Sequence, residues 1–254
     1  MKTYFAIKTL LALILVAFLV GLVLTAFSAT SVEASTPQYC PGGTLRGSLP
    51  QPPPGMASHQ VVTLDANCNP VWGQIEFVPR TQMFHVPNAN TKGGTFNLLR
   101  ESLLGKLSPN TSSPQIATDV SKSIHAENQM WDCCGILMNQ LYTDASWTYN
   151  GSVVTSYSVG GGYSRHTENS PPSCGTGWYV VNPYNVKTSG GIGQPSASFK
   201  QHAEFGYKGI FDCGGSQFYN ILDNYETLSA GYVCNQYLSY RNWFAGWNWQ
   251  HWCG

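Results

Sequence analysis

Over residues 197–211 the side chains alternate. Phe199, Ala203, Phe205, Tyr207 and Phe211 share one parity, while Lys200, His202, Glu204 and Lys208 share the other. Successive side chains of an extended strand point to opposite faces, so a period of two describes a long strand buried on one side only. Such a strand needs a second layer to cover its apolar face. The rest of the chain from residue 114 onward is punctuated in the same manner, by Gly, Asn and Pro between short runs rich in β-branched and aromatic residues. Asn150-Gly151, set between Ser146–Tyr149 and Val153–Tyr157, is the strongest hairpin signal, because a type I′ turn requires positive φ at both central residues. Further strands are expected over 60–78, around the turn Asn67-Cys68-Asn69-Pro70, and over 177–182, 217–222, 225–234 and 236–243.

One helix is expected, over 95–107, where Thr95 is a plausible cap and Phe96, Leu99, Leu103 and Leu107 recur at helical spacing. Many strands with one helix and no strand-then-helix alternation point to an all-β fold. The expected form is a mainly antiparallel sandwich or jelly roll with one short helix, stapled by disulfides. Two long segments, 160–177 and 183–195, read as loops, and long loops in a compact domain are often functional.

Lys2 and Lys8 precede or open an apolar run, Leu10 to Phe27, that leads into small and polar residues ending Val32-Glu33-Ala34. This is the pattern of a secretory signal peptide cut after Ala34, and it implies a secreted, extracellular protein; an uncleaved segment would instead be a membrane anchor. Residues 35–58, with Pro50, Pro52, Pro53 and Pro54, read as an extended arm, and 59–254 as a single β-rich domain. Charge sharpens the picture. The 13 Lys+Arg cancel the 13 Asp+Glu, and charged residues are 10% of the chain, against about a quarter in an average domain. No basic face for a polyanion is legible, so nucleic acid is not an expected partner.

All eight cysteines, Cys40, Cys68, Cys133, Cys134, Cys174, Cys213, Cys234 and Cys253, lie beyond the expected cut. An even number in an oxidising compartment reads as a disulfide framework. Local guesses pair Cys40 with Cys68 and Cys213 with Cys234, and the vicinal Cys133 and Cys134 are expected to bond two different partners. No C-x-x-C pair is present, so a thiolate metal site is not expected, and no cofactor is implied.

The sequence has no G-x-S-x-G elbow, H-E-x-x-H helix, phosphate loop or dinucleotide fingerprint. Its sharpest chemical feature is His-Ala-Glu twice, at His125-Ala126-Glu127 and His202-Ala203-Glu204. On strands, each His and Glu lie about 6.6 Å apart on one face. If the two strands were neighbours, Glu127, Glu204, His125 and His202 would converge into a site for acid and base work; solvated His and Glu on the polar side of a half-buried strand are the ordinary alternative. The second feature is the C-terminal run from Arg241 to Gly254, which holds four of the eight tryptophans. Trp243, Trp247, Trp249 and His251 share one parity; Asn248 and Gln250 share the other. An exposed row would stack on sugar rings, with Asn248 and Gln250 bonding hydroxyls, whereas a buried row would be core. The expected function is a disulfide-stapled binding module for neutral glycan or a cell-surface component. A secreted hydrolase with a Glu/His site, of peptidase or glycosidase type, is the alternative, and a structural or toxin-like protein the default.

Overall fold

The computed structural model describes residues 39–83, 91–102, 119–167, 177–208 and 218–254. Its strands are β1 (Tyr39–Cys40), β2 (Gly43–Leu49), β3 (Met56–Leu64), β4 (Pro70–Trp72), β5 (Glu76–Pro79), β6 (Thr91–Thr95), β7 (Leu99–Ser102), β8 (Val120–Trp131), β9 (Leu137–Tyr149), β10 (Val154–His166), β11 (Gly177–Gly190), β12 (Ala197–Lys208), β13 (Tyr219–Leu228), β14 (Tyr232–Arg241), β15 (Trp243–Phe244) and β16 (Asn248–Cys253). A single 3-10 turn, Arg80–Gln82, follows β5. Nine strands form one large sheet in the order β4-β3-β16-β8-β9-β10-β6, with β5 added to β3 and β7 to β10; five form a second in the order β11-β12-β13-β14-β2, and β1 pairs with β15 in a small two-stranded sheet. Both large sheets are antiparallel throughout. The two lie face to face, as the expected all-β sandwich requires.

Strand parity decides what fills the space between them. Phe199, Ala203 and Phe205 of β12 and Leu222 and Leu228 of β13 turn inward, and Leu141, Ala145 and Trp147 of β9 with Met130 of β8 meet them from the other sheet. The apolar clusters flank a belt of buried polar side chains. Asn128 donates through Nδ2 to the Asp223 and Tyr237 carbonyls, both at 3.1 Å, and accepts from the Trp249 indole at 2.7 Å. Gln201 donates to the Gly160 carbonyl and Gln236 to that of Glu127, each at 2.7 Å. These amides peg one sheet to the other, and burial without such partners would cost about 1–3 kcal/mol apiece. Glu226, fully buried, lies 2.9 Å from the Thr143 hydroxyl; burial pushes its carboxyl up to about 8, so it is neutral at pH 7.

The disulfides correct half of the local guesses. Cys40 pairs with Cys68 as expected, but Cys234 pairs with Cys253, joining β14 of one sheet to β16 of the other. Cys174 and Cys213 lie outside the described residues. Cys133 and Cys134 are exposed and unbridged rather than bonded to two partners.

Other expectations also change. Residues 95–102 carry no helix: Thr95 ends β6, and Leu99 opens β7. Both strands pair with β10, and that ladder overrides the helical spacing of Phe96 and Leu99; Leu103 and Leu107 lie outside the described residues. The expected arm contains a full strand, since Gly43–Leu49 is free of proline and pairs with β14; the proline run at 50–54 has no ladder. Of the expected loops, 160–177 is strand as far as His166, with 168–176 outside the described residues, and 183–195 is strand as far as Gly190. Asn150-Gly151 does join β9 to β10, but in a four-residue connection over 150–153 and not the expected type I′ turn: Gly151 takes φ 91° while Asn150 does not take positive φ, and the Asn150 carboxamide oxygen accepts from the Ser152 and Val153 amides.

Candidate functional site on the outer sheet faces

The His-Ala-Glu motifs occupy β8 and β12, which belong to different sheets. In each motif the alanine is fully buried between the sheets, so His and Glu, on the opposite parity, stand on the outer face. The two motifs therefore face away from each other on opposite sides of the sandwich. The four-membered cluster of Glu127, Glu204, His125 and His202 does not form, because β8 is flanked by β16 and β9, and β12 by β11 and β13.

Each motif instead recruits an aspartate from the strand beside it. His125 is in register with Asp144 of β9, and His202 with Asp223 of β13. His125 donates through Nδ1 to Asp144 at 2.7 Å and through Nε2 to Glu127 at 2.8 Å. His202 repeats the scheme, with Nδ1 to Asp223 at 2.6 Å and Nε2 to Glu204 at 3.1 Å. For His125, burial is the largest influence and opposes the charged form, but the hydrogen bonds and charges of Asp144 and Glu127 outweigh it and raise the imidazole to about 9. His202 moves in the same direction: burial again opposes, Asp223 and Glu204 prevail, and the Lys200 charge trims the rise. An imidazolium with both N–H groups engaged by carboxylates has no lone pair to offer as a base. Each clamp thus acts as a cross-strand latch. Sequence reasoning missed Asp144 and Asp223, because no local spacing announces a partner that pairing brings across.

The surroundings of the clamps differ. On the nine-stranded sheet Glu127 is nearly inaccessible, its second oxygen bonded by Gln129, while the Asp144 side chain is 60% exposed. From Asp144 the face continues into rows of hydroxyls. Ser121 lies in register with Thr148, and Thr148 with Ser156; Ser123, Ser146 and Ser158 form the next row. Ser121, Ser146, Thr148, Ser156 and Ser158, with Arg100, Glu101 and Lys122, line a cleft of about 520 Å³.

On the five-stranded sheet the clamp is the centre of an aromatic face. Tyr184 of β11 stacks on His202 with ring centroids 4.6 Å apart, and Tyr225 of β13 meets Tyr237 of β14 edge-on at 5.0 Å. Lys200 lies over both Tyr184 and Tyr225 and pairs with Asp223 at 3.2 Å; Arg46 of β2 lies over Tyr237. The Tyr219 hydroxyl bonds the second oxygen of Glu204. Residues of all five strands thus join one network in which Lys200 and His202 pair with Asp223 and Glu204, and Arg46 adds a further cation over Tyr237. Tyr184 is 40% exposed and the other rings are half-buried. A signal for this face was present in β13, where Tyr219, Ile221, Asp223 and Tyr225 alternate with buried Asn220, Leu222, Asn224 and Glu226.

The tryptophan-rich end is mainly core. Trp243 and Trp249 are 1% and 0% exposed, so they cannot present rings to a ligand. The single strand expected there is broken by a turn with Gly246 at φ 85°, which separates β15 from β16. Trp247 is half-buried among Trp178, Phe218 and Phe244, and Asn248 and Gln250, bonded to each other at 2.9 Å, likewise keep partial access to solvent. Among the described residues no group of three or more His, Cys, Asp or Glu side chains is arranged to hold a metal ion. No protein-family model, curated protein or solved structure matches the chain.

Proposed function

We propose that the protein is a secreted binding module whose ligand is a neutral glycan, held on the tyrosine face of the five-stranded sheet. The observation that carries this reading is the network across all five strands, in which solvent-reaching Tyr184, Tyr225 and Tyr237 lie beside the paired side chains of Lys200, His202, Asp223 and Glu204. Ring faces offer apolar area to the C–H surfaces of sugars, and Asp223, Asn235 and Lys200 on the same strands offer hydrogen bonds to hydroxyls. Secretion rests on the leader pattern of residues 1–34 and on disulfides that persist in oxidising compartments.

The test is retention of the purified protein on a panel of insoluble neutral polysaccharides. Aromatic contacts are worth about 0.5–1.5 kcal/mol each, so Tyr184→Ala with Tyr237→Ala should weaken retention roughly tenfold while the melting temperature stays close to that of the parent. Unchanged retention in that double variant, or no retention on any polysaccharide, overturns the reading.

A second reading, a hydrolase, is favoured by one observation: Glu127 and Asp144 stand on either side of His125 beside the hydroxyl-lined cleft. Soluble fragments released by the parent and absent with Glu127→Gln would move the function to that face.

A further inference from the structure

We propose that Cys133 and Cys134 form a redox-active vicinal dithiol that closes to an eight-membered disulfide ring on meeting a small-molecule disulfide. Adjacent side chains on a strand point to opposite faces, yet here the two sulfurs are 3.0 Å apart. The β8–β9 turn brings them together. Asp132 accepts through Oδ1 from the Cys134 amide at 2.9 Å and the Ile136 amide at 2.7 Å, its own amide donates to the Ile136 carbonyl at 3.0 Å, and Gly135 takes φ 78°. The β15–β16 turn backs the tip: a Cβ on Gly246 would lie 2.8 Å from that of Cys133. Both cysteines are exposed, so a small disulfide reaches them, whereas the other four described cysteines are already bridged. The Cys134 thiol is held above its ordinary range, first by the neighbouring Cys133 sulfur and then by Asp132.

The chemistry is thiol–disulfide exchange with a glutathione-type disulfide as oxidant. One cysteine thiolate attacks the small disulfide, forming a mixed disulfide and expelling one small thiolate. The second thiolate then attacks the protein sulfur of that mixed disulfide, closes the ring and expels the other. Two protein thiols and one small disulfide become one protein disulfide and two small thiols, and two electrons pass from the protein to the oxidant. A short ring at an exposed tip is also the bridge most easily reopened.

The experiment titrates the intact purified protein with oxidised glutathione, blocks remaining thiols with a maleimide and digests with trypsin. The peptide from Ser123 to Arg165 contains these two cysteines and no others. Both maleimide labels should be lost together, leaving a peptide two hydrogens lighter than the dithiol. Mild reductant should restore both labels at a concentration at least roughly tenfold below that which opens Cys234–Cys253. Cys133→Ser and Cys134→Ser should each trap one glutathione as a stable mixed disulfide. Protein isolated already closed and reopened by the same mild reduction supports the proposal equally. Labels retained at oxidant levels that close a C-x-x-C reference dithiol, glutathione accumulating on the parent without ring closure, a ring that resists reduction like Cys234–Cys253, or a link to a second chain each overturn it.

Discussion

Glu226 and His125 give the protein opposite kinds of buried charge. Glu226 keeps its proton in the fold up to about pH 8, whereas an ordinary glutamate loses it near 4.5. Between those values the unfolded chain releases a proton that the fold retains, so stability falls as pH rises through that window. Glu226→Gln should remove this slope: near pH 9 the variant should melt above the parent, and near pH 4 the two should melt together. Thermal unfolding at both pH values decides it. His125, raised from 6.5 to about 9, contributes stability that is full below 6.5 and lost as pH rises through 9. Replacing it by Gln should cost about 2 kcal/mol at pH 6, discounted for the exposure of Asp144, and much less at pH 10, as read by urea unfolding at each pH.

At the scale of elements, close approach between sheets depends on β2. A Cβ on Gly47 would lie 2.4 Å from the His251 ring and 3.0 Å from that of Trp249, which stack at 4.5 Å on the facing strand β16. Gly47→Val should therefore destabilise the protein by about 1–3 kcal/mol, whereas Ser48→Val, on the exposed parity of the same strand, should change stability little. Denaturant midpoints of the two variants check the contrast. The same strand shows why the N-terminal segment was misread as an arm: its prolines are conspicuous, but its strand alternates Leu45, Gly47 and Leu49, and a glycine at the middle apolar position conceals the period. The apolar spacing at 95–107 misled in the opposite way, since pairing with β10 recruits Thr91–Thr95 and Leu99–Ser102 as edge strands.

For the whole molecule, Cys234–Cys253 is a covalent link between the sheets, reinforcing the pegs made by Asn128, Gln201 and Gln236. Replacing both cysteines with alanine should lower stability by about 3 kcal/mol, the entropy expected for a closed segment of this size, and thermal unfolding under oxidising conditions measures it. If the ligand is neutral, retention on polysaccharide should change less than about twofold between low salt and 0.5 M salt, because screening acts on charge pairs and not on ring stacking.

What the sequence determined by itself is local. The period of two over β12, the Asn-Gly turn between β9 and β10, and the close Cys40–Cys68 pair each follow from chain geometry within a few tens of residues, and together they dictate an all-β, disulfide-stapled protein. What only the tertiary structure decided is the company each strand keeps. Parity says that His125 and His202 share a side with their glutamates, but pairing assigns the two motifs to different sheets, supplies Asp144 and Asp223, and buries Trp243 and Trp249 while leaving Tyr184 in reach of solvent. Strand neighbours are chosen by contacts between distant residues, and no spacing within one strand encodes them.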